Sequence, residues 1–253
     1  LVIIFFGLGI LFKFKNIKIN DLKLLFFVVS LLIIFLFISK TNEDFGYYHL
    51  PNSLQFSHFK IQFGLGNLNH GFKHISSLFL LMSLNYLPYF EYYLFNLTNF
   101  LFYAFFVLFL YKEIFYEKNI KLNFSKIILS LFLILFLTKF SRLAEFGSDL
   151  AGQIIVCIYL FFVFEAFFNS KLNHNKKIEY ISISIILITF AITLKFILII
   201  YSLLVFVVLI LIDQKKKIII YIFQKNLIFL SIASLSIFLF FNFSATGCLI
   251  YPV

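Results

Sequence analysis

The stretch ISISIILITFAITLKFILIIYSLLVFVVLILI, residues 181–212, decides the fold. It runs for 32 residues and Lys195 is its only charged side chain. As one straight helix it would measure about 48 Å, against about 30 Å for the hydrocarbon core of a bilayer. It therefore reads as two membrane spans joined by a turn near Lys195. A lone Lys at such a place is expensive unless it reaches water or a partner. Either it snorkels at the turn, or it is a cation that holds a lipid-linked phosphate.

The rest of the chain extends the pattern. Hydrophobic residues make up 62% and charged residues 13%, which excludes a soluble domain. Apolar runs at 1–12, 24–39, 92–111, 127–139, 150–168 and 226–243 read as further spans. They are continuous and do not alternate at period two, so they predict helices and no barrel. Residues 75–88, ISSLFLLMSLNYLP, are too short to cross and read as a short or re-entrant helix with both ends on one side.

KFKNIKINDLK (13–23), KEIFYEKNIKLNFSK (112–126), NSKLNHNKKIEY (169–180) and DQKKK (213–217) read as basic loops. With Lys225 they carry fifteen of the 21 Lys and Arg. By the positive-inside rule they face the cytoplasm, and the opposite loops face outward. The expected location is the bacterial inner membrane, with the outer loops on the periplasmic or extracellular side. A net charge of +10 spread over such loops is no nucleic-acid footprint, so no nucleic-acid partner is expected. Cys157 and Cys248 give neither a disulfide framework nor a metal spacing. The chain starts at Leu1, has its only Met at Met82 and stops at Val253 just past an apolar run. It reads as a fragment, a single transmembrane domain over 1–253.

Between two apolar runs lies TNEDFGYYHLPNSLQFSHFKIQFGLGNLNHGFKH, residues 41–74, most of an outer loop spanning 40–74. It holds four of the five His. Long loops of this kind are functional or disordered, and this one is too apolar for disorder. At its start Glu43 and Asp44 are either a solvated helix-end pair or a base that takes a proton from a hydroxyl. Tyr48 and His49 follow as hydrogen-bonding groups on the scale of a sugar. His70 and His74 are four apart and can share a helix face, and His70 is a further substrate contact. GLGNLNHG (64–71) is either a glycine-rich phosphate loop or, without Lys-Ser/Thr after it or a strand before it, a set of turns.

In FSRLAEFGSD (140–149), Ser148 or Asp149 reads as the N-cap of the next helix, a role compatible with facing a substrate. Arg142 and Glu145 fall on the same helical face as Asp149. Arg142, the only Arg, either pairs with Glu145 or uses its planar fork to bind phosphate.

An acidic pair at the outer end of an early span, a long first outer loop and a later Asp at an outer helix start resemble the GT-C fold glycosyltransferases. EDFGYYHLPNSLQF, GLGNLNHGFKHISSLFLL and FGSDLAGQ resemble a branch of bacterial membrane proteins related to that fold, over roughly residues 24–253. The resemblance implies an all-α, polytopic transmembrane bundle whose long outer loop contains short helices. It implies sugar transfer from a polyprenyl-phosphate carrier to a glycan, lipid or protein acceptor. Asp44 then matches the catalytic base, with Glu43 beside it, and Asp149 the second acidic position. Arg142 and Lys195 would contact the carrier phosphate. Some members use a divalent metal, Mg or Mn, and others none. The rival readings are a transporter or flippase of lipid-linked glycans, an O-antigen-type polymerase or ligase, and a non-catalytic membrane subunit.

Overall fold

The computed structural model describes residues 19–37, 43–116, 124–138, 146–169, 172–211, 215–224 and 227–249. Eleven α-helices order them: α1 Ile19–Leu32, α2 Leu50–His58, α3 Leu65–Leu68, α4 Ser77–Ser83, α5 Leu97–Tyr111, α6 Phe124–Thr138, α7 Ser148–Phe168, α8 His174–Leu194, α9 Ser202–Leu211, α10 Lys215–Gln224 and α11 Leu227–Thr246. Among the described residues there is no strand, only an isolated bridge between Leu87 and Glu91. Four helical stretches among the described residues are long and apolar enough to cross a membrane: Tyr92–Ile114, Ser148–Phe168, His174–Leu194 and Ile228–Thr246. The chain is an all-helical membrane protein. The predicted first span, 1–12, lies outside the described residues.

The α7–α8 hairpin is the spine of the bundle and its most extensive helix pair. Small residues on it, Ala151, Gly152 and Ala191, are buried and let neighbouring backbones approach, which is how helices associate where lipid is as apolar as the core. Two clusters of buried side chains flank it. One joins Ile155, Tyr159, Ile188 and Leu194 to Leu78, Phe79 and Met82 of α4. The other joins Tyr103 and Phe106 of α5 and Leu129 and Phe136 of α6 to Ile154 and Phe161 of α7.

Helix α8 ends at Leu194, and Lys195 is extended (φ −151°, ψ 113°). A 3-10 stretch, Phe196–Tyr201, then leads into α9. Leu198 lies against Gly152, and the Tyr159 hydroxyl donates to the Tyr201 carbonyl at 2.7 Å. Both chains advance in the same sense between these contacts. The segment after Lys195 therefore runs parallel to α7 and antiparallel to α8, and the chain reverses at Lys195.

Helix α4 begins beside the end of α8, where Ser76 Oγ donates to the Leu194 carbonyl at 2.6 Å. Just past its other end, Asn85 Nδ2 donates to Thr98 Oγ1 in the first turn of α5 at 2.8 Å. Both ends of the 75–88 segment thus lie at one end of the bundle, here called the site end.

The basic loops need correction. Lys176 and Lys177 lie in the first turn of α8, Lys215–Lys217 open α10, and Lys126 lies in α6. Lys is a good helix former, and at Lys176, Lys216 and Lys217 the long stem lets a helix continue past the apolar zone with the side chain in water, whereas Lys126 is buried.

Candidate functional site

The outer loop of the sequence reading is largely helical. Asp44 leads into a π-helical turn, Phe45–His49, which passes directly into α2 with Pro51 near its start. The Leu50 N–H donates back to the Phe45 carbonyl, so the helix is continuous through this junction, and the fixed φ of Pro51 suits it. The turn is held from behind by Asn52. Its buried amide donates to the Tyr48 carbonyl at 2.7 Å and to the Gly71 carbonyl at 3.1 Å. Gly71 sits so close to the turn that an added Cβ would lie 2.3 Å from the Tyr47 carbonyl oxygen.

The GLGNLNHG stretch holds the one-turn helix α3, Leu65–Leu68, and the start of a 3-10 turn, His70–Lys73, in place of a phosphate loop or simple turns. Gly64 has φ +77°, and the Asn69 side chain accepts from Gly71 N at 2.9 Å. Gly66 lies against the Ala245 carbonyl of α11. These glycines serve close backbone approach.

On this frame the loop and the spine meet. The Tyr48 hydroxyl donates to Asp44 Oδ2 at 3.2 Å. The Tyr48 ring lies 4.3 Å from His49 and 5.0 Å from His74, centroid to centroid. His70 stands 5.2 Å from His74. His49 is 3% exposed, faces Phe79, and lies against Gly147 at the start of α7. From the spine come Asp149, in the first turn of α7, and Lys195, at the reversal after α8. Lys195 Nζ bonds Asp149 Oδ1, with both side chains about half exposed.

Electrostatics show that the two carboxylates act on one neighbourhood. Burial holds the Tyr48 hydroxyl well above its ordinary range, reinforced by the charge and hydrogen bond of Asp44 and by the charge of Asp149. Tyr48 thus stays a donor. Burial pushes His49 down to about 4, against the pull of Asp44 and Asp149 and with the help of Lys195 and His74. Burial, then the charge of His70, also lowers His74. His49 is therefore a neutral imidazole, and its buried Nδ1 has no hydrogen-bond partner.

The structure brings together Asp44, Tyr48, His49, His70, Asp149 and Lys195 from the residues singled out in the sequence. Glu43 is exposed next to Asp44. Arg142 and Glu145 lie outside the described residues, so their shared face with Asp149 does too. The capping expectation is corrected. The N-cap of α7 is Gly147, and no side chain caps it. Asp149 is free of that duty and reaches Lys195 instead. His49, expected to touch substrate, is buried beneath Tyr48.

One contributor, His74, was noted in the sequence without a site role, and another, Asn99, was missed. His74 reaches the Tyr48 ring, and Asn99 Nδ2 donates to the Gly147 carbonyl at 3.1 Å, tying α5 to the start of α7. A polar Asn-Leu-Thr-Asn opening to an apolar run, 96–99, was the available signal for Asn99. Among the described residues no group of three or more His, Cys, Asp or Glu stands together as a metal-ligand cluster.

The fold and the site define a class: a membrane-embedded helical bundle with an acid–base cluster where its first large loop meets one end of the spine. The chain belongs to the family described as a domain of unknown function (DUF8201), whose model matches residues 2–253. Comparison with curated proteins and with solved structures finds no match.

Proposed function

We propose that this protein is a membrane glycosyltransferase of GT-C type that moves a sugar from a polyprenyl-phosphate carrier to an acceptor hydroxyl at the outer face of the cytoplasmic membrane. One observation carries the reading. Asp44 is bonded to Tyr48, Tyr48 packs on His49, and His49 lies against Gly147, two residues before the Asp149 that is paired with Lys195.

In this mechanism Asp44 takes the proton of the acceptor hydroxyl. That oxygen bonds to the anomeric carbon, and the bond from carbon to the carrier phosphate oxygen breaks. The phosphate leaves with the electron pair, and Lys195 offsets its charge. Tyr48 donates to Asp44 and orients the carboxylate. The neutral His49 ring packs behind Tyr48 and fills the seam between loop and α7. Asp149 holds Lys195 in place until the phosphate competes for it. The convergence of these groups at one end of the bundle favours transfer over transport, which calls for charges along a path between leaflets.

The test is transfer from a radiolabelled polyprenyl-phosphate sugar in membranes carrying Asp44→Asn. The expected loss is about 10²–10⁴-fold, the usual contribution of a positioned base. Full transfer by this variant ends the assignment.

A further inference from the structure

The segment FKIQFGLGNL, Phe59–Leu68, leaves four large apolar side chains uncovered. Phe59, Ile61 and Phe63 are 60%, 52% and 70% exposed, and Leu68 is 83% exposed. A row of this kind outside the spans marks contact with another surface.

Its anchorage identifies that surface. Gly64 N donates to the Ser244 carbonyl of α11 at 2.8 Å, and a Cβ on Gly66 would come within 2.9 Å of the Ala245 carbonyl oxygen. The segment is thus fixed to the last turns of α11, whose span is the least buried of the four long ones. Phe240 and Phe243 on those turns are themselves about half exposed. The uncovered row is continuous with a helix face that lipid must cover. The pattern Phe59-Lys60-Ile61-Gln62-Phe63 alternates apolar and polar residues, as suits a strip lying between hydrocarbon and headgroups.

We propose that Phe59–Leu68 is seated in the lipid leaflet at the site end of the bundle. Phe59, Ile61, Phe63 and Leu68 lie at the boundary between headgroups and acyl chains, and the partner is phospholipid itself. Lys60 and Gln62 stay at the headgroup level. With Phe59 and Ile61 they also line a cavity of about 110 Å³ that meets Asn52, the residue supporting Tyr48. This seating holds whether or not the site transfers sugar.

The chain has no Trp, so a single introduced Trp reports alone. Phe63→Trp and Leu68→Trp are each placed in phosphatidylcholine nanodiscs with bromines either shallow or deep in the acyl chain. Ile237→Trp, on the exposed face of α11, serves as the hydrocarbon reference. The expected result is quenching by shallow bromines stronger than by deep ones at both loop positions, with the reverse order at position 237. Aqueous iodide should quench the loop positions at least about fivefold less than it quenches N-acetyltryptophanamide, as for a side chain at the interface. Iodide quenching close to that of the free amide, with no bromolipid effect, overturns the proposal by placing the segment in water. Protection from both quenchers also overturns it, by placing the row against protein.

Discussion

The two ends of the bundle differ in what their buried polar groups join. At the site end some buried polar side chains reach across the chain. Asn52 bonds Gly71, Ser76 bonds Leu194, and Asn99 bonds Gly147. Others there, Ser53, Thr193 and Asn242, bond one turn back in their own helix. Towards the other end such groups bond within their own helix. Ser182 and Ser184 donate to carbonyls one turn back, and Asn169 donates to Glu165, also one turn away. Buried polar groups cost free energy unless paired, and inside a membrane the cost is higher. Polarity turned back on its own helix offsets that cost and builds nothing else. Polarity spent between segments fixes the relative positions of a loop, a short helix and three spans. A site of separate contributors needs the second arrangement.

The largest expected effect tests whether that fixing is real. Gly71→Ala places a Cβ 2.3 Å from the Tyr47 carbonyl oxygen and 3.3 Å from Tyr48 Cβ, so backbone must move. The expected loss is at least about 3 kcal/mol, the upper part of the overpacking range. Gly46→Ala, two residues before Tyr48, meets nothing within 4 Å and should stay within about 0.5 kcal/mol of the parent. Thermal midpoints in detergent measure both. Equal midpoints would mean that the 71–47 contact does not hold the loop on the spine.

The contrast between ends was only half legible in the sequence. The helices, four of the expected spans and the reversal at Lys195 follow from hydrocarbon thickness and one misplaced charge, both local properties, whereas the runs at 24–39, 127–139 and after Lys195 form shorter apolar helices. The Asp149–Lys195 bond is not local. Each residue was read alone, one as a cap or second acid and the other as a phosphate contact, because no spacing rule joins positions 46 apart in sequence. The burial of His49 was hidden for a related reason. A π turn that runs straight into α2 sets its direction, and loop composition does not reveal such a turn. Helix α10 was missed because three consecutive Lys look like a loop, although Lys favours helix.

A smaller effect comes from pH. His49 holds about 4 in the fold against 6.5 ordinarily, because burial disfavours its charged form. Between those values the unfolded chain binds a proton that the folded chain refuses. Stability is therefore full above about pH 6.5 and declines as pH falls toward 4, by on the order of 2–3 kcal/mol. His74, also lowered by burial, adds in the same direction. His49→Gln should flatten this acid limb while the slope left by His74 persists. An unchanged limb would mean that His49 takes up its proton equally in the folded and unfolded chain, and that its burial does not disfavour the charged form.

The smallest expected effect separates architecture from chemistry at the Asp149–Lys195 pair. Both side chains are about half exposed, so solvent screens the bond. A double-mutant cycle through Asp149→Asn and Lys195→Met should give a coupling of roughly 0–1 kcal/mol in stability, shrinking with salt. Transfer activity should behave differently. If Lys195 meets the charge of a departing phosphate, Lys195→Met lowers turnover, and adding Asp149→Asn restores none of it, because no cation returns. If the pair only latches α7 to the turn after α8, the double variant is as active as Asp149→Asn alone, since neutral side chains leave no unpaired charge behind. The same two substitutions thus show whether cross-chain polarity at this end serves only to assemble the bundle or also to work on a ligand.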